Sequence, residues 1–281
     1  MSHVDIAMAT YNGEAYIEEQ LCSILNQTHT DWTLYISDDG STDSTIEIIA
    51  KYSKADARIK LVNTSRQGGV IQNFNKALEA TESDYVLLSD QDDVWFPNRL
   101  VILLEEMHKV EISKNKPVLV FSDLELVDKN LNITAESFYE CNGIDPLDNL
   151  NVFNLVWGSS VYGCSTILNR RLLDKCLPIP PSVPMHDCWL ALNAATELGL
   201  HYYGQKTIKY RQHENNVVGG SNKNFIHKLK NFSKTFSKVL VLIEKSRSMI
   251  REGRLIKNNE VLNSVYLEGF GKIAFSFRKI A

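Results

Sequence analysis

Two aspartates separated by a single residue, Asp90 and Asp92, stand in the stretch LLSDQDDVW (Leu87–Trp95), directly after a short hydrophobic run and beside a third, Asp93. At about 5 Å and an effective dielectric near 20, the repulsion between the first two is roughly 3 kcal/mol, which a cation would offset. Oxygen ligands with no cysteine or clustered histidine around them select Mg2+ or Mn2+, and such ions keep positions open for substrate phosphates. Two other readings stand beside this one. The aspartates suit a solvated turn, and Leu87–Val94 also fits the pattern of aspartate-nucleophile phosphatases, with Asp90 phosphorylated and Asp92 as acid or base. That phosphatase motif ordinarily follows the first strand of its fold, whereas three strand–helix units precede it here.

Those units must position the aspartates. Val4–Thr10, Trp32–Ser37, Ile59–Asn63 and Tyr85–Ser89 are short and rich in β-branched, aromatic and aliphatic residues, the composition of buried strands. Between them Glu14–Leu25, Ser44–Tyr52 and Val70–Ala80 carry apolar residues at helical spacing, the second opened by capping hydroxyls at Ser41–Ser44. Alternation of this kind predicts an α/β fold with a mostly parallel, Rossmann-like sheet flanked by helices. Ligands bind beyond the carboxyl ends of such strands. Thr10-Tyr11-Asn12, Asp38-Asp39-Gly40-Ser41, Arg66-Gln67-Gly68-Gly69 and Asp90-Gln91-Asp92-Asp93 all fall there. TYNGEAY fits neither the dinucleotide G-x-G-x-x-G nor the P-loop pattern, so no glycine loop grips phosphate.

A chain of 281 residues, 44% hydrophobic, buries a full core. Its five cysteines are odd in number and widely spaced, which predicts reduced thiols and a cytoplasmic protein. The N-terminus lacks a signal-peptide pattern and no apolar run approaches the roughly 20 residues that span a bilayer. The net charge of −4 conceals an asymmetry: from Asn222 onward thirteen Lys and Arg face four Glu, a net +9 that leaves −13 for the body. Within 223–245, Phe225, Leu229, Phe232, Phe236, Val239, Leu240 and Ile243 define one apolar face among lysines. That pattern suits peripheral contact with an anionic membrane, such as the inner face of the cell membrane, and equally suits a helix packed on the catalytic body or on a second copy in a homodimer. The acidic body offers no basic, aromatic-interleaved surface, so no nucleic acid partner is expected.

The series TYNGEAYIEEQLCSILNQT, DDGSTDST, RQGGVIQNF, LLSDQDDVW, GCSTILNRR, MHDCWLALNAA and YRQHENNVVG resembles family 2 glycosyltransferases of GT-A fold, in particular their bacterial rhamnosyltransferase-like branch. The resemblance implies a catalytic domain over 1–220, with nucleotide-sugar binding in 1–95 and an acceptor part in 96–220, followed by a basic helical tail over 221–281. It implies that Thr10, Tyr11, Glu14 and Asp39 embrace the nucleotide, Asp39 accepting the N3–H of uracil or thymine. Asp90 is then shared between ribose and metal, and Asp92 is on a Mn2+ or Mg2+ that bridges the diphosphate. His213 completes the metal site or is an ordinary strand-end histidine, and Asp93 receives no role. Asp187 matches the catalytic base for inverting, single-step displacement, against the alternative of an N-cap aspartate. His186 beside it would position acceptor or diphosphate, and Trp189 is more often core than a sugar platform. The Q-x-x-R-W motif of processive synthases is absent, so one sugar per encounter is expected. The implied substrates are a nucleotide-sugar donor, dTDP-rhamnose ahead of UDP-galactose, UDP-glucose or a UDP-N-acetylhexosamine, and a saccharide or lipid-linked acceptor in cell-surface polysaccharide synthesis. A non-catalytic sugar-nucleotide binder would not need Asp39, Asp90, Asp92 and Asp187 together.

Overall fold

The computed structural model describes residues 2–111, 116–214, 248–249 and 251–252. Its first half alternates β1 (Val4–Thr10), α1 (Ile17–Leu25), β2 (Trp32–Asp38), α2 (Thr45–Ala55), β3 (Ile59–Asn63), α3 (Val70–Glu79) and β4 (Tyr85–Ser89). All five residues of β4 and all but Ala9 of β1 are buried, because central parallel strands are covered on both faces and need no polar alternation. α3 buries Phe74, Ala77 and Leu78 and packs on β1 and β2. Buried Asn73 on that helix donates to the Thr10 carbonyl at 3.0 Å and accepts from the Ser37 hydroxyl at 2.6 Å, tying both strand ends to it. α1 begins at Ile17 and not at Glu14: Asn12 takes a positive φ of 46°, and the Glu14 carboxylate turns away to accept the Ser44 N–H at 2.9 Å ahead of α2.

The second half adds β5 (Val94–Trp95), α4 (Arg99–Val110), β6 (Leu119–Val127), β7 (Ile133–Ala135), α5 (Phe138–Asn142), α6 (Val152–Trp157), β8 (Thr166–Asn169), α7 (Arg170–Cys176), α8 (His186–Ala195) and β9 (Leu200–Arg211). The sheet runs β3-β2-β1-β4-β8-β6-β9-β5, with β7 on β6. The strands from β3 to β4 are all parallel; β8 then runs antiparallel to both β4 and β6, and β9 runs parallel to β6. From β1 the chain goes outward to β2 and β3, then returns to place β4 on the other side of β1. The carboxyl ends of β1 and β4 therefore flank the topological switch point, where a crevice opens in sheets of this kind.

The basic segment 223–245 lies outside the described residues, as does most of 221–281. Within that span Met249 is buried among core residues, and the Ser182 hydroxyl donates to Glu252 at 2.8 Å. None of the five cysteines is in a disulfide. No helix of the described residues is long and apolar enough to cross a membrane.

Candidate active site

The crevice is built first by its turns. Asp38, fully buried at the end of β2, accepts the Thr10 hydroxyl at 2.7 Å, the Ser41 N–H at 2.6 Å and the Ser41 hydroxyl at 2.7 Å. Asp39 faces the other way and receives backbone N–H groups of the R-Q-G-G turn: Gln67 and Gly68 on Oδ1, and Gly69 on Oδ2 at 3.0 Å. Gly68 and Gly69 reach it with φ of 95° and 124°, a region L side chains avoid. Across the mouth, the Gln91 amide accepts the Tyr11 N–H at 2.9 Å and donates back to the Tyr11 carbonyl at 3.0 Å. Gly13 leaves room for it, since a Cβ there would stand 2.3 Å from Gln91 Oε1.

The three aspartates after β4 have separate environments. Asp92 Oδ2 is 2.8 Å from His213 Nε2, and the His213 ring lies 4.7 Å from the Tyr16 ring. Asp90 lies instead with Asp93 and Cys164, their ligand atoms all within 4.8 Å of one another. Its carboxyl is pushed up from 3.8 to about 7, by burial first and then by the charges of Asp92 and Asp187. Asp93 has no exposed surface; Oδ1 accepts the Arg211 N–H at 3.1 Å and Oδ2 has no hydrogen-bond partner. Burial first, then the charges of Asp92 and Asp90, holds its carboxyl well above the usual range.

Opposite them, Asp187 lies in the first turn of α8 and is not its cap, because the N-cap is Met185 and makes no side-chain capping bond. One Asp187 oxygen accepts the Gly163 N–H at 3.0 Å and the other the Cys188 N–H at 2.6 Å. Gly163 and Cys164 open a 3-10 turn (Gly163–Ser165) that touches both sides of the site, since Gly163 holds Asp187 and Cys164 lies against Asp90 and Asp93. His186, 4% exposed, stacks on Phe74 at 4.0 Å between ring centroids and has no hydrogen-bond partner for either ring nitrogen. Burial pushes its pKa down, so the ring is neutral. A Cβ on Gly163 would come 2.7 Å from His186 Nε2 and 3.5 Å from Asp187 Cβ. Gly163→Ala is therefore expected to cost about 1–3 kcal/mol by overpacking, read as a melting midpoint lowered by roughly 3–8 °C.

Whether a divalent cation fits can be judged from these donors. Two neighbouring ligands of an octahedral ion, each at about 2.1 Å, stand about 3 Å apart. The Asp92 oxygen and His213 nitrogen meet that spacing at 2.8 Å. A carboxylate with an imidazole can ligate a divalent first-row ion, and the neighbouring carboxylate charges at Asp90 supply an electrostatic reason for a cation. Of the three expected ligands, Asp92 and His213 are paired directly, whereas Asp90 groups with Asp93 and Cys164. Among the nucleotide-binding expectations, Asp39 is buried against the R-Q-G-G turn and Tyr11 is 50% exposed. Thr10 is buried and spends its hydroxyl on Asp38; Glu14 spends an oxygen on the α2 turn. Trp189 is core, fully buried with its N–H on the Cys176 carbonyl at 3.1 Å. Arg211, Gly163, Cys164 and Gln91 went unassigned in the sequence, although each lies inside a quoted motif.

The family model described as Glycosyl transferase family 2 matches residues 5–176. The chain is 30% identical over 227 residues to the dTDP-rhamnosyl transferase RfbG of Shigella flexneri, covering 76% of this chain and 74% of that one. It is 28% identical over 219 residues to the Escherichia coli UDP-Glc:alpha-D-GlcNAc-diphosphoundecaprenol beta-1,3-glucosyltransferase WfgD, covering 76% and 79%. Among solved structures, S. aureus TarS 1-349 in complex with UDP-GlcNAc superposes with a TM-score of 0.57 at 20% identity, over 80% of this chain and 64%, under two thirds, of that one. A family match over residues 5–176 sets the phosphatase reading aside: the chain belongs to glycosyl transferase family 2, a glycosyltransferase of GT-A fold.

Proposed function

We propose that this enzyme moves one sugar at a time, with inversion and with the help of Mn2+ or Mg2+, from a nucleotide-diphosphate sugar to a saccharide or lipid-linked acceptor in cell-surface polysaccharide synthesis. dTDP-rhamnose is the favoured donor, supported by the likeness to a dTDP-rhamnosyl transferase; UDP-glucose, UDP-galactose or a UDP-N-acetylhexosamine comes next, supported by the likeness to a UDP-Glc-dependent enzyme. The observation that carries the reading is the Gly163–Cys164 turn, which holds Asp187 through the Gly163 N–H and sets Cys164 within 4.8 Å of Asp90 and Asp93, bringing the carboxylates to one place.

Asp92 and His213, with Asp90 of the same loop as a third carboxylate, would hold the cation, which when bound supplies Lewis-acid neutralisation of charge on the departing nucleoside diphosphate. Asp39 keeps carboxylate lone pairs beyond the backbone N–H groups it already accepts, enough for the imide N–H of uracil or thymine. Tyr11 presents its ring at the mouth, while Thr10 and Glu14 shape the loop that receives the nucleotide. Asp187 takes the proton from the acceptor hydroxyl. Each of its oxygens receives one backbone N–H and retains a lone pair for that proton. His186, its ring nitrogens unpartnered inside the protein, is suited to orient acceptor or diphosphate. The lysines of 223–245 are the reason to expect the enzyme at the inner face of the cell membrane, with a homodimer through the same segment as the second use.

A thermal-shift panel of dTDP- and UDP-sugars, each with and without Mn2+, tests this. The cognate donor at a hundred times its Kd should stabilise by about 2.7 kcal/mol, a rise of roughly 5–10 °C, only when metal is present. Equal shifts without metal would remove the metal from the reading, and no shift with any nucleotide would remove the donor class.

A further inference from the structure

Arg211 ends β9 two residues before His213, and its guanidinium is 1% exposed. A buried cation must be fully engaged, and this one is. Nε donates to the Asp92 carbonyl at 2.7 Å, Nη1 to the Lys129 carbonyl at 2.7 Å, and Nη2 to the Glu19 carboxylate on α1. Its charge lies 4.7 Å from the centre of the Tyr16 ring, the same ring that faces His213 at 4.7 Å. Its own backbone N–H goes to Asp93. One side chain thus fixes the main chain of one member of the Asp92–His213 pair and, through Tyr16, the ring of the other.

We propose that Arg211 is the positioning residue of the cation site, setting the separation of Asp92 and His213 by holding the Asp92 carbonyl through a hydrogen bond and the Tyr16 ring through a cation–π contact. The proposal rests on the cation reading above. Only a planar fork of five N–H donors reaches a carbonyl on each of two loops and a carboxylate on a helix at once; a lysine ammonium supplies the charge without that geometry. Mg2+ and Mn2+ tolerate little displacement of their ligands, and partners that orient ligands from behind are typically worth 10–100-fold in metal affinity. Glu19, half-exposed and outside the ligand set, completes the mount from α1.

The test is direct Mn2+ binding by the full chain, followed by the electron paramagnetic resonance signal of the free ion, with UDP and with dTDP present and absent. Arg211→Lys should weaken Mn2+ binding 10–100-fold while the far-UV circular dichroism stays that of the native protein. Glu19→Gln, which keeps shape and loses only the charge of one partner, should weaken it 3–10-fold. Native protein that binds no Mn2+ would overturn the cation reading itself and this inference with it. Native protein that binds, beside a folded Arg211→Lys that binds within threefold of it, would overturn the positioning role alone. If Arg211→Lys does not fold, Glu19→Gln decides: unchanged Mn2+ affinity in that variant overturns the role.

Discussion

Asp187→Asn is expected to lower the rate of sugar transfer by 10²- to 10⁴-fold, the usual contribution of a positioned general base, while leaving donor binding within a fewfold of native. The structure makes the substitution close to isosteric but not silent. Asn keeps one oxygen for the Gly163 or the Cys188 N–H and turns an NH2 towards the other, so one of two hydrogen bonds is lost. A stability cost of about 1 kcal/mol follows, small enough that the variant stays folded. Steady-state transfer assays beside nucleotide-sugar titrations separate the two effects. Turnover within tenfold of native, with binding intact, would remove Asp187 from the reaction.

Asp90→Asn should do the opposite to stability and comparable harm to function. With its carboxyl pushed up to about 7, the folded chain holds that proton more tightly than the unfolded chain, whose carboxyl titrates near 3.8. Stability is then fully present below about pH 4, declines as pH rises towards 7, and has lost its full share above that. At pH 8 without metal the deficit is on the order of 2–4 kcal/mol, and Asp93, shifted in the same direction, adds to the same slope. The Asn variant escapes the Asp90 share. Its melting midpoint at pH 8 in chelator should exceed that of native protein by roughly 5–10 °C, with the difference vanishing near pH 4. In Mn2+ and nucleotide the order reverses, since the variant has given up the group those ligands stabilise. A variant no more stable than native at pH 8 in chelator would show that the charge on Asp90 costs the fold nothing.

Much of the first half was legible because its physics is local and repetitive. β1 and β4 are covered on both faces, so VDIAMAT and YVLLS stand out as mostly apolar runs without polar alternation, and both match the observed strands end to end. The start of α1 was not legible: the contest between helix and turn at Glu14 is settled by Ser44, thirty residues away in sequence and adjacent only after folding. The same holds in the site. Asp90, Asp92 and Asp187 were readable as residue types in quoted motifs. That the Asp187 carboxylate is held by a bond from Gly163, and that Asp93 is buried against Arg211 of β9 and Cys164, depends on residues brought together only by folding. A fully buried arginine leaves no periodic trace, so nothing in YRQH distinguishes Arg211 from a strand-end surface cation.

The middle residue of D-x-D is conventionally free to vary, but in this chain it has a partner. Gln91 exchanges two hydrogen bonds with the Tyr11 main chain and occupies the space a side chain at 13 would need. Positions 13 and 91 are therefore coupled in the folded protein: an alanine at 13 would push the Gln91 amide off the Tyr11 main chain and open the latch, whereas shortening Gln91 gives up the latch and removes the contact that keeps 13 a glycine.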